Sequence, residues 1–433
     1  MATVIENDNC RYEVVKVLNP DGQVLNVSLA SGSPSTTPPS VSNDAFGRLR
    51  ISQPFTLFDS SHRYSDNGLW SQSVASSGSS AFNTNEGCID MTVTTTSGSE
   101  VVRETNKVFA YQPGKSLLVM NTFVFNAGKT GLRQRVGYFN AANGLFVELD
   151  GTTLNLVKRS SVTGSVVETK VARTSWNVDK LDGAGPSGIT LDITKAQIFW
   201  MDLEWLGVGN VRMGFVYNGQ FVHCHTFQHA NTTSTTYITT ACLPIRYEVT
   251  NTGTTASSST LKQICSTILS EGGYELRGRS RSVNTPITSP YTLTTAGTSY
   301  PVFSMRLLST RLDAIVIPTN ISVVGLNNAA AYNYRLFVGG TVNGGTWTAT
   351  GGGSPVETNL TGTSLSGGVL VQSGLLNGAA HGGAPISLDN NLFRRQLERN
   401  GLSGTATELT LVLIADTNIA NALVAVEWDE IAY

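Results

Sequence analysis

Apolar residues along this chain fall in short runs, many of them alternating with polar residues, and turn-forming residues close most of them. The first such pattern is Tyr12-Glu-Val-Val-Lys-Val-Leu18, which alternates. Asn19-Pro-Asp-Gly22 follows as a turn, and Val24-Leu-Asn-Val-Ser-Leu29 returns, so the spacing predicts a hairpin. A lone hairpin is barely stable in water and needs a surface to dock on. Ser31 to Ser42 contains three prolines among small polar residues, a composition that favours an extended linker.

Longer runs follow. Leu117–Phe125, Gly144–Leu149, Ala196–Trp205 and Val211–Tyr217 have strand length, and Asp150-Gly151 and Asn218-Gly219 supply hairpin turns within Phe146–Val157 and Val211–Val222. Ser187–Lys195 has room for one helical turn. Leu261–Leu269 could form a helix or a strand, and the strand is preferred because Ile264, Thr267 and Ile268 are β-branched. After Arg277, Arg279, Arg281 and the segment Pro286–Pro290, a second series begins near Tyr291. Its strands are Val302–Leu307, Asp313–Pro318, Ile321–Val324, Tyr332–Val338, Gly368–Val371, Leu409–Ile414 and Ala422–Trp428. A Gly-rich stretch, Gly339–Gly383, lies among them, and Phe393–Glu398 has the length of one helical turn. The expected fold is all-β: two β-sandwich or jelly-roll-like domains preceded by an N-terminal hairpin arm. The expected boundaries are 1–42 for arm and linker, 43–276 for the first sandwich, 277–290 for an Arg/Pro linker and 291–433 for the second sandwich.

Composition agrees with several cores rather than one. At 433 residues the chain exceeds the roughly 250–300 residues at which a single core stops growing. Charged residues make up 14% and hydrophobic residues 40%, with a net charge of −2, too apolar and too neutral for a disordered chain. That balance argues against a large nucleic-acid face, and the three arginines at 277–281 read as a solvated joint or partner contact. No run reaches the roughly 20 apolar residues of a membrane helix, and the first residues lack the pattern of a signal peptide. Assembly in a cytoplasm is expected. The five cysteines (Cys10, Cys88, Cys224, Cys242 and Cys265) are odd in number and widely spaced, which predicts buried free thiols.

Candidate chemistry is sparse. His223 and His225 share a strand face and could meet a metal together with His229 and Cys242, but the spacing matches no paired-ligand signature. Asp202 and Glu204 alternate along one strand face, as a glycosidase pair could. A polar face opposite the buried one is the simpler reading. Asp179–Gly188 could offer oxygens to Ca²⁺, yet a Gly/Pro loop braced by its own aspartates explains it better. Gly207-Val-Gly209 reads as a turn. Trp70, Trp176, Trp205 and Trp347 are candidates for stacking on sugars, against the commoner use of Trp in packing. No catalytic, cofactor-binding or metal residue is therefore assigned, and no cofactor is expected.

Three stretches resemble a β-rich virion protein family of tailed bacteriophages, especially those of marine and cyanobacterial hosts. The first is Asp44-Ala-Phe-Gly-Arg-Leu-Arg-Ile-Ser52 with Leu57-Phe-Asp59. The second runs from Trp176–Gly188 through Trp205–Gly209 to His225–Asn231. The third joins Leu243–Glu248 to Ile264–Tyr274, and Trp428-Asp-Glu-Ile431 resembles the end of the family's second domain. The resemblance implies a non-enzymatic component of the virion, assembled in the host cytoplasm. Its expected partners are other copies of itself, as a trimer, and capsid, neck or tail proteins. A receptor- or glycan-binding fibre appendage, touching a host surface glycan, is the alternative expectation. Neither direct nucleic-acid binding nor membrane insertion is expected.

Overall fold

The structure is a computed structural model that describes residues 53–327, 330–378 and 395–432, together with strands at 3–7, 10–14, 17–18, 24–25 and 384–387. Two compact units divide the chain, Met1–Ser52 and Gln53–Tyr433. In the first, Val17↔Leu25 and Leu18↔Val24 pair across the expected turn, while Thr3–Asn7 pairs with Cys10–Val14. The Pro/Ser linker and the Asp44–Ser52 motif lie outside the described residues.

The second unit is all-β and holds two sandwiches. In the first, an eight-stranded antiparallel sheet runs Gln220–Phe227, Val211–Tyr217, Gln197–Leu203, Ser116–Val124, Ser259–Glu271, Cys88–Val93 and Ser79–Asn83. Pro54–Ser61 also pairs with Ser259–Glu271. A seven-stranded sheet runs Val167–Ala172, Thr153–Ser160, Gly144–Asp150, Leu132–Phe139, Ile245–Asn251, Glu100–Thr105 and Trp70–Ala75. Between them lies the main core, where Phe123, Val136, Leu145, Phe199, Met213 and Tyr247 have no more than trace exposure. Burial of each such side chain contributes roughly 1.5–3 kcal/mol. Turn chemistry sets the registers: Asn218 and Gly219 both adopt positive φ, so Val211–Tyr217 and Gln220–Phe227 meet through a two-residue turn.

The second sandwich stacks Arg279–Asn284, Tyr291–Leu293, Ala420–Ala432, Ile315–Gly325 and Ala384–Ser387 against a seven-stranded sheet centred on Glu408–Ala415. Trp428, Tyr332, Leu411 and Leu413 are fully buried in its core. Two expectations are corrected. The 277–290 segment is not only a linker, since Arg279–Asn284 pairs along its whole length with Ala420–Ala432. Asp313–Pro318 and Ile321–Val324 are not separate strands: Ile315–Gly325 is continuous, and Pro318 sits beside a register shift where its missing N–H is tolerated. Ser259–Glu271 is a strand, as the β-branched residues predicted. Ser187–Lys195 holds no helical turn, and one 3-10 turn forms instead at Arg173–Ser175. Of the expected turn Phe393–Glu398, only Arg395–Glu398 falls among the described residues.

The two sandwiches meet through a small apolar cluster of Val108, Ala110, Cys242, Ile315 and Ile317. A segment of the second sandwich's sequence fastens this contact. Gln396 donates to the Val108 carbonyl at 3.0 Å, the Arg399 backbone N–H donates to the Asn106 carbonyl, and the buried Arg399 guanidinium binds Glu104 at 2.6 Å and Asp313 at 3.1 Å.

Candidate functional site

The histidines suggested for a metal are held apart by separate partners. A bulge between Met213 and Gly214 shifts the register beside Cys224. His223 Nε2 lies 2.9 Å from the Thr226 hydroxyl, while His225 Nδ1 accepts the Asn177 backbone N–H at 3.3 Å. His229 contacts the Gly209 carbonyl and Lys158 and stacks on Tyr237 with ring centroids 4.1 Å apart. Burial lowers the basicity of all three, and His225, with His223 beside it, is brought down to about 4. Cys242 points elsewhere, donating to the Asp313 carbonyl.

Asp202 and Glu204 do not form a carboxylate pair. The strand ends at Leu203, Glu204 enters a turn closed by its N–H to the Asn210 carbonyl, and Asp202 is gripped by Arg212 through both guanidinium arms. Asp179 braces its loop: one carboxylate oxygen accepts the Leu181 N–H and the other the Ser187 N–H, each at 2.8 Å. Burial opposes ionisation of Asp179, but these bonds hold it below the usual carboxylate range. Among the described residues, Glu86, Cys88 and Asp90 bring potential ligand atoms within 4.8 Å of one another. Lys262 occupies Glu86, Asn83 donates to Asp90, and burial with the two carboxylates pushes the Cys88 thiol up to about 12.

Trp70 and Trp176 are buried and donate to Ser60 and to the Val171 carbonyl. Arg306 lies over the Trp347 ring at 4.0 Å. The arginines at the joint are also engaged: Arg277 pairs with Glu275, and Arg281 reaches the Gly352 carbonyl and the buried Glu430.

An ionic layer that the sequence reading missed covers the outer face of the seven-stranded sheet. Arg135 binds Glu148 at 2.7 Å, Glu168 at 3.1 Å and Glu248 at 3.4 Å, although Arg135, Glu148 and Glu248 are all buried. Arg159 binds Glu168 at 2.6 Å, and Arg246 bridges Glu104 and Glu248. The arginines also lie over a buried aromatic pair, Phe139 and Phe146, whose centroids are 4.4 Å apart. Gly137, directly opposite Phe146, leaves room for this ring: an added Cβ would sit 2.7 Å from the Phe146 Cβ. Burial opposes ionisation of Glu248, yet Arg246, Arg135 and Arg133 keep it below the usual range. Such carboxylates are poor general acids, which must hold a proton at working pH.

The outer face of the eight-stranded sheet carries open apolar residues beside the Asp202–Arg212 pair. Phe221 pairs across strands with Val216, Ile198 with Thr122, and Trp200 with Met120. Phe221 and Ile198 are exposed, at 54% and 39%. Gly214 makes space for the Trp200 indole, whose ring atoms lie 3.0 Å from where a Cβ would be.

A cleft of about 600 Å³ opens where the sandwiches meet, lined by Tyr111, Trp205, Thr239, Thr240 and the loop Ser309–Asp313. A neighbouring groove of about 380 Å³ shares Tyr111 and Ala432 with it and extends to Lys115. Trp205 is half-buried and donates to the Ile238 carbonyl at 3.4 Å.

No family model matches the chain, and no curated protein matches it. Solved structures similar to it include the carbohydrate recognition domain of Emp47p, at 11% identity and a TM-score of 0.33, over 53% of this chain and 99% of that one. Lectin II from Ulex europaeus is 10% identical with a TM-score of 0.32, over 51% and 100% of the two chains. A glycosyl hydrolase family protein from Mycobacterium fortuitum is 9% identical with a TM-score of 0.35, over 49% and 99%. Likeness at this level carries no argument about ligand or reaction.

Proposed function

We propose that the chain is a non-enzymatic structural component of a tailed-phage virion that acts by packing against copies of itself and other particle proteins. The observation that carries this reading is exposed apolar β surface. Phe221 and Ile198 lie on an open sheet face, and the strand Val369–Asn377 exposes Val369 at 68%, Leu370 at 48% and Leu375 at 80%. That strand has no charged residue of its own, although Arg395 reaches it at Val371 and Gln372. Surfaces of this kind are stable when a neighbour covers them. The phage setting rests on the sequence resemblance. Light scattering on purified protein tests the association: a closed oligomer, expected as a trimer, supports it, and a stable monomer across the concentration range rejects it. Localisation of tagged protein in imaged particles tests the setting.

A second reading, a glycan-binding appendage, is favoured by one observation, the junction cleft with Tyr111, Trp205 and a hydroxyl-bearing wall. Saccharide binding that is lost on changing Trp205→Ala, with the melting profile retained, would support it.

A further inference from the structure

The junction cleft combines an aromatic ring, hydroxyls and the exposed cation of Arg311. Among the described residues its one lining carboxylate, Asp313, is already paired with Arg399 at 3.1 Å. Among the described residues no carboxylate lies within ion-pair distance of Arg311 in the cleft or of Lys115 in the adjoining groove, whereas Arg277 there is matched by Glu275. The linked recesses therefore hold a cation without an ion-pair partner on either side of Tyr111, with Glu204 also close to that ring.

The polar groups suit a polyol. Arg399 occupies Asp313 Oδ1, while among the described residues Oδ2 has only a 3.4 Å contact from Asn140 and can accept another hydroxyl. Thr240 Oγ1 accepts the Cys242 N–H at 3.0 Å, which leaves its own O–H to donate. Trp205 is fixed through its indole N–H, and the Tyr111 backbone is tied to the Ala241 carbonyl, so neither aromatic must be ordered on binding. The half-buried Trp205 ring beside fixed hydrogen-bonding groups fits a sugar ring, which has an apolar face and a hydroxyl rim, while Tyr111 is buried in the wall.

We propose that this cleft binds an acidic saccharide. One ring packs against Trp205, its hydroxyls meet Asp313 and Thr240, and its anionic substituent pairs with Arg311. The next residues of the saccharide pass Tyr111 towards Lys115. A carboxylate and a sulfate ester share the required chemistry. The inference rests on the glycan-binding reading and adds the charge class of the ligand.

The test is calorimetric titration of the full chain with tetragalacturonate, a sulfated carrageenan tetrasaccharide, maltotetraose and tetra-aspartate. Binding of either acidic saccharide, weakened about tenfold by Arg311→Ala and by added salt, is expected. The arm that binds identifies carboxylate or sulfate as the anion. Equal binding of maltotetraose, or acidic binding unchanged by Arg311→Ala, overturns the acidic assignment while leaving a glycan site in place. Tetra-aspartate binding as tightly as the saccharides overturns the saccharide assignment. If none of the four binds, the inference and the glycan reading both fail. Arg311 is exposed, and an unchanged melting profile for the variant shows that the fold is intact.

Discussion

The two outer faces of the first sandwich solve the same problem in opposite ways. Each carries an aromatic ring opposite a glycine, Phe146 by Gly137 and Trp200 by Gly214. On the seven-stranded sheet, Arg and Glu side chains close over the ring, and Leu132–Phe139 and Gly144–Asp150 are buried on both faces. On the eight-stranded sheet the burial of Ser116–Val124 alternates strictly, and Phe221 and Ile198 remain open. One face is closed over by its own ion pairs, and the other leaves apolar residues exposed. The difference shows that an outward strand face can be part of a folded interior when its charges satisfy one another.

The most severe disruption of this contrast is Arg135→Met. It leaves Glu148 and Glu248 buried without their shared partner, and loss of about 3–5 kcal/mol in chemical denaturation is expected. The same face should make the protein acid-labile. Glu168 and Glu248 have lowered folded-state pKa values, so their stabilisation is present above the ordinary carboxylate range and lost as pH falls through the lowered values. His225 adds to this loss from about pH 6.5 down to about 4, because the unfolded chain takes up a proton there that the folded one refuses. Melting temperature measured from pH 7 to pH 3 should fall throughout that range, and a flat profile would contradict the ionic account.

Next in size are Gly137→Ala and Gly214→Ala. Each new methyl would meet a backbone oxygen, at 2.3 Å from Leu145 and 2.0 Å from Val222, and each should cost about 1–3 kcal/mol. Similar losses at both sites would show that the two faces use glycine alike. The smallest effect on stability belongs to Phe221→Ser, within about 0.5 kcal/mol because the ring is mostly exposed. Its effect should appear instead as weaker self-association in light scattering.

Local signals made part of this fold legible. Asn218-Gly219 marked a hairpin, and β-branched residues marked Ser259–Glu271 as a strand. Pro318 misled because proline usually ends a strand, and only the register shows the bulge that accommodates it. The ionic layer stayed hidden for a related reason. Arg135 stands directly opposite Glu148 on one neighbour and Glu248 on the other, and Arg159 opposite Glu168, pairings that join residues as far as 113 positions apart. The junction cleft depends on contacts between two sandwiches and leaves no local pattern. The candidate histidines and carboxylates could be named from spacing, but their hydrogen-bond partners could not.

The fastening at Arg399 has a consequence for how the molecule comes apart. Separating the sandwiches would break the buried Arg399–Glu104 pair and uncover Val108, Ile315 and Ile317 together. Neither core can loosen its side of the junction without exposing the other's, so melting should be cooperative across both. A molecule seated in the cleft would then stabilise the whole unit by mass action, and binding would register as a rise in one shared transition temperature.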